Sequence, residues 1–288
     1  MKAIETERMA TSVKARLLNL SKERGEDYNL ILTRYALERF LYRLSHSPYK
    51  NEFILKGAMV FQLWGASPHR ATRDLDLLAE GNADSDIIVK KITTICDTAV
   101  AEDGLEFDLS ALTVSEIRAE DRYGGKRVKF LGLLGSTRIF IQIDIGIGDI
   151  VTPPPIESEY PSLLDMGMPH VLAYPRATVV AEKLEAIIDL GMNNSRMKDF
   201  FDLWFIFTTF KDDLEMLGHA VQKTFIRRGQ SIPHEVPIGL SDQFANDPQK
   251  QTQWKAFLKY TIGGELSLNT VIAIVQDMAM KIFAVSRN

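Results

Sequence analysis

Arg73-Asp74-Leu75-Asp76-Leu77-Leu78 is the stretch of sequence that decides the fold. Side chains at positions i and i+2 of a β-strand face the same way, so a strand over residues 74–79 places Asp74 and Asp76 side by side. The leucines then pack on the opposite face. Two adjacent carboxylates repel each other unless a cation lies between them. Mg2+, or Mn2+ in its place, suits such a pair because magnesium binds through one or two carboxylates plus substrate phosphates.

A later segment has the clearest strand pattern in the chain, with isoleucines alternating with polar and small residues over residues 137–146. One face of this strand is wholly isoleucine and must be covered by helices. The other face carries Asp144 and is predicted to open into a cleft. Three convergent carboxylates, Asp74, Asp76 and Asp144, can hold two metal ions for in-line phosphoryl or nucleotidyl transfer. An Asp-x-Asp alone is also typical of a solvated strand end, and Asp144 together with an upstream glycine turn favours metal binding.

That glycine turn is formed by Lys56, Gly57 and Ala58, between a predicted strand over residues 53–55 and a predicted helix over residues 58–64. Small side chains allow backbone N–H groups to approach a phosphate, and a helix N-terminus favours the phosphate charge. The alternative is an ordinary turn in which glycine supplies only backbone freedom and Lys56 is a surface charge.

A second polar group is predicted in the C-terminal half. The helix expected over residues 196–209 is apolar nearly all round, yet Asp199 and Asp202 share one of its faces. Buried acids need partners because an unpaired buried charge is costly. The obvious partners are Lys183, at the edge of an apolar helical stripe, and Arg196. The group is either a structural salt bridge between two helices or a network that presents Lys183 to a triphosphate, and both roles are compatible.

The complete pattern predicts an α+β protein, with a mixed twisted sheet followed by an α-helical C-terminal half. Two domains are expected, residues 1–165 and residues 166–288, the second completing the active-site cleft. Residues 153–175 are predicted to form an irregular connector. Further strands are predicted over residues 105–114 and 126–134. Further helices are predicted over residues 9–24, 28–46, 84–101, 176–190, 212–228, 241–260 and 268–285.

The composition is that of an ordinary globular protein. Of 288 residues, 45% are hydrophobic, and 34 Lys+Arg face 38 Asp+Glu, which excludes collagen-like, mucin-like and wholly disordered chains. The net charge of −4 argues against a generally basic nucleic-acid coat, but not against a local basic cleft. Two groups of basic residues are compatible with an RNA acceptor, and each is also typical of solvated surface: Lys126, Arg127, Lys129 and Arg138 on the central strands, and Arg227, Arg228, Lys250, Lys255 and Lys259 in the helical half. The single cysteine, Cys96, excludes an internal disulfide and a Cys-rich zinc site, and it favours the cytoplasm. With no long uninterrupted apolar stretch and no signal peptide, no membrane association is expected.

Taken in order along the chain, these motifs resemble the AbiEii/AbiGii toxin family, which belongs to the polymerase-β-like nucleotidyltransferase superfamily and includes the MenT toxins. The resemblance covers about residues 50–285. Each motif is modest alone, but their order and spacing make the match specific. The motifs are Phe53–Gly57, Arg73–Leu78, the isoleucine-rich strand with Asp144, Tyr174-Pro175 with Ala181–Ala186, and Ser195–Leu203.

The resemblance implies a metal-dependent nucleotidyltransferase that acts as the toxin of a toxin–antitoxin or phage-defence pair. Asp74 and Asp76 would be metal ligands. Asp144 would match the third carboxylate of the superfamily, a metal ligand or a base for the attacking hydroxyl. The residues that would match the downstream active-site motifs are Lys183, Asp199 and Asp202. The residues expected to contact the NTP are Lys56, Gly57, Ala58, Arg73 and Arg196.

The same resemblance implies the substrates and partners. MenT enzymes transfer nucleotides to the 3′ end of tRNA, so NTP and tRNA are the expected substrates and a cognate antitoxin is the expected partner. One departure is that the Gly-Ser or Gly-Gly-Thr of relatives is Gly57-Ala58-Met59 here, which keeps the small size at position 58 and loses the hydroxyl. The alternatives are a nucleotidyltransferase acting on a small molecule of antibiotic type or on a protein, and a non-catalytic binding module of the same fold. The intact carboxylate set argues against the last.

Overall fold

A computed structural model of the protein describes residues 2–65, 70, 72–81, 84–117, 124–259, 261 and 265–287. The chain divides into two compact units. Unit 1 comprises Met1–Gly148 and Ile156–Ala173, and unit 2 comprises Asp149–Pro155 and Tyr174–Asn288.

Unit 1 is a sheet with helices. Its helices are α1 (Lys2–Arg24), α2 (Tyr28–His46), α3 (Val60–Leu63) and α4 (Ser85–Cys96). Its strands are β1 (Phe53–Lys56), β2 (Leu75–Ala79), β3 (Leu105–Glu116), β4 (Gly125–Leu134), β5 (Thr137–Ile147), β6 (Ile156–Glu159) and β7 (His170–Ala173).

The strands described in unit 1 form one seven-stranded mixed sheet in the order β3-β4-β5-β2-β1-β7-β6. The β5–β2 and β1–β7 pairs are parallel, and the other neighbouring pairs are antiparallel. Together with the helical unit 2, this sheet confirms the predicted α+β class. In this order β2 lies directly beside β5, although the two strands are far apart in the sequence.

The isoleucine face of β5 forms the core of unit 1, as the alternation predicts. Ile139, Ile141, Ile143 and Ile145 are at most 4% exposed, and α2 packs against this strand. Burying such side chains contributes roughly 1.5–3 kcal/mol each. The opposite face of β5 carries Arg138, Phe140, Gln142 and Asp144, since successive side chains of a strand alternate between faces.

The predicted connector over residues 153–175 is wrong in one respect, because it contains β6 and β7. These strands have four residues each and lie between prolines, so they show too few alternations for a periodicity argument. β7 joins the sheet through the register pairs of Ile54 with Leu172 and Leu55 with Ala173. β7 pairs with β1, and β6 pairs with β7, so both strands depend on long-range pairing with β1 that local sequence does not encode.

Four predicted helices differ from those observed. Two differ in length, since α1 begins at Lys2 rather than at residue 9 and α4 ends at Cys96 rather than at residue 101. The other two are divided. The helix expected over residues 58–64 is a 3-10 turn, Gly57–Met59, followed by the single-turn α3. The helix expected over residues 241–260 is divided into α8 and α9 at Asp247-Pro248. Asp247 accepts backbone hydrogen bonds from Gln249 and Lys250, and proline occupies the first helical position, so a new helix begins there.

The described part of unit 2 is helical. Its helices are α5 (Arg176–Leu190), α6 (Met197–Thr209), α7 (Leu214–Arg228), α8 (Asp242–Asn246), α9 (Pro248–Leu258) and α10 (Leu268–Ser286). α10 is long and apolar enough to cross a membrane by length and composition. It packs against α6 and α7, with Val271, Val275 and Phe283 fully buried, as the core helix of a helical unit does.

Candidate active site

The three acidic residues converge at the β2–β5 pair. Asp76 and Asp144 are direct register partners in this parallel pair, and Asp74 comes immediately before β2. One carboxylate oxygen from each of Asp74, Asp76 and Asp144 lies within 4.8 Å of the others, and all three side chains are half-buried. Leu75, between Asp74 and Asp76 in the sequence, is fully buried on the opposite face of the sheet. The pairing of β2 with β5 therefore brings together the three carboxylates that the sequence predicted to be neighbours.

Gly57 makes room for the carboxylate of Asp76. It follows Lys56, which is the register partner of Asp76 in the antiparallel β1–β2 pair. A Cβ atom added at Gly57 would lie 1.9 Å from Asp76 Oδ2, and the φ angle of Gly57 is +70°. Both the close approach and the left-handed backbone require glycine. The turn residue thus determines where one of the acidic side chains lies.

Arg127 on β4 neutralises part of the acidic cluster. Its Nε and Nη2 atoms donate hydrogen bonds of 2.8 and 2.6 Å to the two oxygens of Asp144. These hydrogen bonds, and to a smaller degree the charges of Asp144, Asp74 and Asp76, raise the pKa of the Arg127 guanidinium above its ordinary value. Arg127 therefore stays charged and holds the Asp144 carboxylate in one orientation, because a bidentate pair fixes geometry as well as charge.

Thr72 orients the first acidic residue. Its hydroxyl donates a 2.5 Å hydrogen bond to Asp74 Oδ1. Because the hydroxyl uses one lone pair of one carboxylate oxygen, the other acceptor sites of Asp74 remain available. Thr72 and Asp74 both lie in the short segment that precedes β2.

The donor set fits a hard divalent cation. Each carboxylate oxygen carries two lone pairs, so the hydrogen bonds from Arg127 leave one on each oxygen of Asp144. Three carboxylates within 4.8 Å of one another supply the oxygen ligands that Mg2+ and Mn2+ prefer. Asp74, Asp76 and Asp144 are the residues that would hold the metal.

The residues predicted to contact the NTP lie in different places. Lys56 is the half-buried last residue of β1, and Ala58 is buried in the 3-10 turn after it. Arg73 is exposed directly before Asp74. The helix expected after Gly57 is only a short turn. It is too short to provide the helix dipole that was predicted to favour phosphate binding. Arg196 lies in unit 2, at the N-cap position of α6.

Unit 2 contains the predicted Lys183 network. Lys183 Nζ lies 2.7 Å from Asp199 Oδ1 and 2.8 Å from Asp202 Oδ2, and both carboxylates are fully buried. Arg196 Nε lies 2.7 Å from Asp199 Oδ2 in an ion pair without hydrogen-bond alignment. Burial alone would raise the pKa of Asp199, but the charges of Lys183 and Arg196 outweigh it and hold this pKa below its ordinary value. Lys183 thus links α5 to α6, and its action on a phosphate stays a prediction.

A neighbouring buried network explains other residues of the Tyr174 and Ala181–Ala186 motifs. Arg228 donates to Glu185 Oε2 at 2.6 Å and to Asp149 Oδ1 at 3.1 Å. Tyr174 donates to Glu182 Oε1 at 3.0 Å. Burial would lower the pKa of Arg228, but the surrounding carboxylates raise it, so the guanidinium remains charged. These motif residues connect α5 and α7 and have a structural role within unit 2.

Sequence reasoning missed the roles of Thr72 and Arg127. A signal for Arg127 was present, because β4 and β5 form a hairpin across Gly135 and Ser136. Counting outward from this two-residue turn pairs Arg127 with Asp144. The signal for Thr72 was weaker, since a threonine two residues before an aspartate is common in loops.

The parallel β2–β5 pair brings three carboxylates together beside a glycine turn, an arrangement suited to the transfer of a phosphoryl or nucleotidyl group. The chain belongs to the nucleotidyl transferase AbiEii toxin family, described as a type IV TA system, whose sequence model matches residues 39–275. It is therefore a nucleotidyltransferase of this toxin family, as the resemblance predicted.

Two solved structures from Helicobacter pylori are similar in fold. JHP933 aligns over 91% of this chain and 94% of its own, with a TM-score of 0.51 and 12% sequence identity. A second structure, described as a nucleotidyltransferase candidate, covers 89% of this chain and 96% of its own, with a TM-score of 0.48 and 15% identity. No curated protein matches the sequence significantly.

Proposed function

We propose that this toxin is a metal-dependent enzyme that transfers a nucleotide from an NTP to an RNA acceptor, specifically the 3′ end of tRNA. The observation that carries the proposal is the convergence of Asp74, Asp76 and Asp144, whose ligand oxygens lie within 4.8 Å of one another. Bound Mg2+ or Mn2+ would supply charge stabilisation for the attacking and leaving oxygens of an in-line transfer. The choice of tRNA rests on the resemblance to the MenT branch.

Residues around the carboxylates prepare the site before substrate arrives. Thr72 orients Asp74, Gly57 leaves space for Asp76, and Arg127 holds Asp144. Groups fixed in this way need no reorganisation when charge develops in the transition state, which is the main source of electrostatic catalysis. The backbone of the turn after Lys56 is the proposed contact for the triphosphate, because Gly57 permits close approach.

We also propose a cognate antitoxin as a partner, a role in phage defence, and the cytoplasm as the compartment, where NTPs and tRNA are present. The support is the description of the family as the toxin of a type IV TA system. Expression of the chain without an antitoxin should therefore slow bacterial growth. Growth inhibition that persists in an Asp74→Ala, Asp76→Ala double variant would contradict the enzymatic account.

The direct test is to incubate the purified protein with each α-labelled NTP, with Mg2+ or Mn2+, and with total tRNA, followed by denaturing electrophoresis. The double variant Asp74→Asn, Asp76→Asn is the negative control. The matched control is Asp277→Asn, a solvent-exposed aspartate in α10. We expect label in tRNA that requires both aspartates and a divalent cation. Label found only in a small molecule or a protein would assign the alternative acceptor.

A further inference from the structure

β5 has an open edge over half of its length. It pairs with β4 from Thr137 to Gly146, whereas β2 pairs with it only from Ile143 onward. Among the described residues, no strand pairs with residues 137–142 on the β2 side. A groove of about 550 Å3 lies along this edge, a volume in the range of ligand-binding pockets.

Three exposed cationic side chains line the groove, namely Arg73, Lys129 and Arg138. In the part of the chain that the structure describes, neither Arg73 nor Lys129 has an ion pair or a side-chain hydrogen bond. Arg138 has a weak electrostatic interaction with Asp108. The pKa of Asp108 is held below its ordinary value mainly by hydrogen bonds from Ser110, and the charge of Arg138 contributes less. The groove is therefore positively charged and complementary to phosphates.

An exposed aromatic ring lies among these charges. Phe140, in the middle of β5, is 80% exposed and lines the same groove. Successive bases of a single strand stack on aromatic side chains while cations bind the backbone, which is the usual arrangement for single-stranded nucleic acid. A peptide strand added to the open edge would bind through backbone hydrogen bonds, which require neither the three cations nor the exposed ring. The combination favours a nucleic acid.

The groove approaches the carboxylates, because its lining includes Arg73, next to Asp74, and Gln142, two residues before Asp144. Arg138, Phe140, Gln142 and Asp144 occupy alternate positions of β5, so their side chains share one face of the sheet. At about 3.3–3.4 Å per residue, Phe140 lies about 13 Å along the strand from Asp144. The same strand face therefore runs from Phe140 to Asp144, so a single strand bound along it would be directed toward the acidic cluster.

We propose that this edge is the acceptor subsite, in which Phe140 stacks a base and Arg73, Lys129 and Arg138 bind phosphates of the single-stranded 3′ end of an RNA. This proposal identifies residues that would contact the RNA acceptor, and it rests on the proposed function. The RNA affinity of the subsite is nevertheless a property of the groove alone. Binding can therefore be measured without NTP or metal, which keeps its failure distinguishable from failure of nucleotide transfer.

The experiment measures binding of a fluorescent RNA hairpin with a four-nucleotide single-stranded 3′ tail, by anisotropy, to the full-length protein at several salt concentrations. Phe140→Ala is expected to raise Kd roughly five- to hundredfold, the range for loss of one stacking contact, and Phe140→Trp to restore binding. Lys129→Gln is expected to lower the slope of log Kd against log salt by about 0.7. The matched controls are Ile226→Ala, an exposed apolar residue, and Lys90→Gln, an exposed lysine, neither in the groove.

A blunt hairpin without the tail is expected to bind at least fivefold more weakly and to lose its sensitivity to Phe140→Ala. Unchanged Kd in Phe140→Ala and in an Arg73→Gln, Lys129→Gln, Arg138→Gln triple variant would overturn the proposal and would leave the open edge to a peptide. RNA binding that depends on Phe140, without nucleotide transfer by the wild type, would support the subsite and reject the transfer. Transfer to tRNA at the wild-type rate in Phe140→Ala at low RNA concentration would support nucleotide transfer and reject the subsite.

Discussion

Arg127 and Asp144 form a bidentate ion pair within the acidic cluster, with hydrogen bonds of 2.8 and 2.6 Å from the guanidinium to the two carboxylate oxygens. The pair supplies a positive charge to a group of three carboxylates that would otherwise repel one another. The guanidinium side chain is 37% exposed, so water weakens this attraction. Arg127 thus orients Asp144 and also competes with any cation that binds there.

We expect Arg127→Met to tighten binding of Mn2+ or Mg2+ in the absence of NTP by about tenfold. Removing a positive charge a few ångströms from the site removes a repulsion of about 1–2 kcal/mol once solvent screening is included. The measurement is the melting temperature as a function of metal concentration. Arg138→Met is the matched control, because Arg138 is an exposed arginine on the same face and outside the cluster. Equal metal dependence in both variants would show that Arg127 does not compete with the cation.

Gly57→Ala should abolish transfer by displacing Asp76. The new methyl group would lie 1.9 Å from Asp76 Oδ2, so the carboxylate or the turn must move. The left-handed backbone adds roughly 1–2 kcal/mol of strain. Gly25→Ala provides the matched control, since Gly25 also has a positive φ angle but nothing within 4 Å of the added methyl. Gly25→Ala should lose similar stability to backbone strain and keep full activity. Active Gly57→Ala would contradict the tight packing between Gly57 and Asp76.

Asp76→Asn should keep the fold and remove transfer activity. The amide has the size of the carboxylate, but it lacks the negative charge that a hard cation needs. We expect an unchanged circular dichroism spectrum and at least a hundredfold slower nucleotide transfer, by analogy with the loss of other electrostatic groups at active sites. Activity near that of the wild type, with unchanged magnesium dependence, would exclude Asp76 as a metal ligand.

Much of the fold and of the site can be predicted from the periodicity of the sequence, and the rest depends on which strands pair in the sheet. The strand over residues 137–146 and the helix over residues 28–46 were predicted nearly residue by residue, because long alternating or helical patterns report burial directly. The convergence of Asp74 and Asp76 likewise follows from a period of two. That β2 lies beside β5 does not follow from either strand alone, since neighbours in a sheet are chosen by the whole fold. Only the structure shows that Asp76 and Asp144 are register partners.

Lys183→Met should destabilise unit 2, because it removes the cation shared by two fully buried carboxylates. Breaking a buried ion pair by removing one partner costs roughly 3–5 kcal/mol. The free energy of unfolding, measured with urea at pH 7, should fall by that amount. Lys281→Met is the matched control, since Lys281 forms an exposed pair with Asp277 and its loss should cost no more than about 0.5 kcal/mol.

The same variant has a predictable pH dependence. In the wild type the pKa of Asp199 is held below its ordinary value, so the folded state binds this proton less readily than the unfolded state. Its contribution to stability is therefore present above pH about 4, the ordinary range for aspartate, and is lost as the pH falls through the lowered pKa. Without Lys183, burial dominates and the pKa of Asp199 rises, so acid protonates a buried carboxylate and relieves its cost. The stability difference between wild type and Lys183→Met should thus be largest at pH 7 and should narrow toward pH 4. A difference that is constant from pH 7 to pH 4 would contradict this network, and unchanged stability with lost transfer would leave Lys183 only a role at the triphosphate.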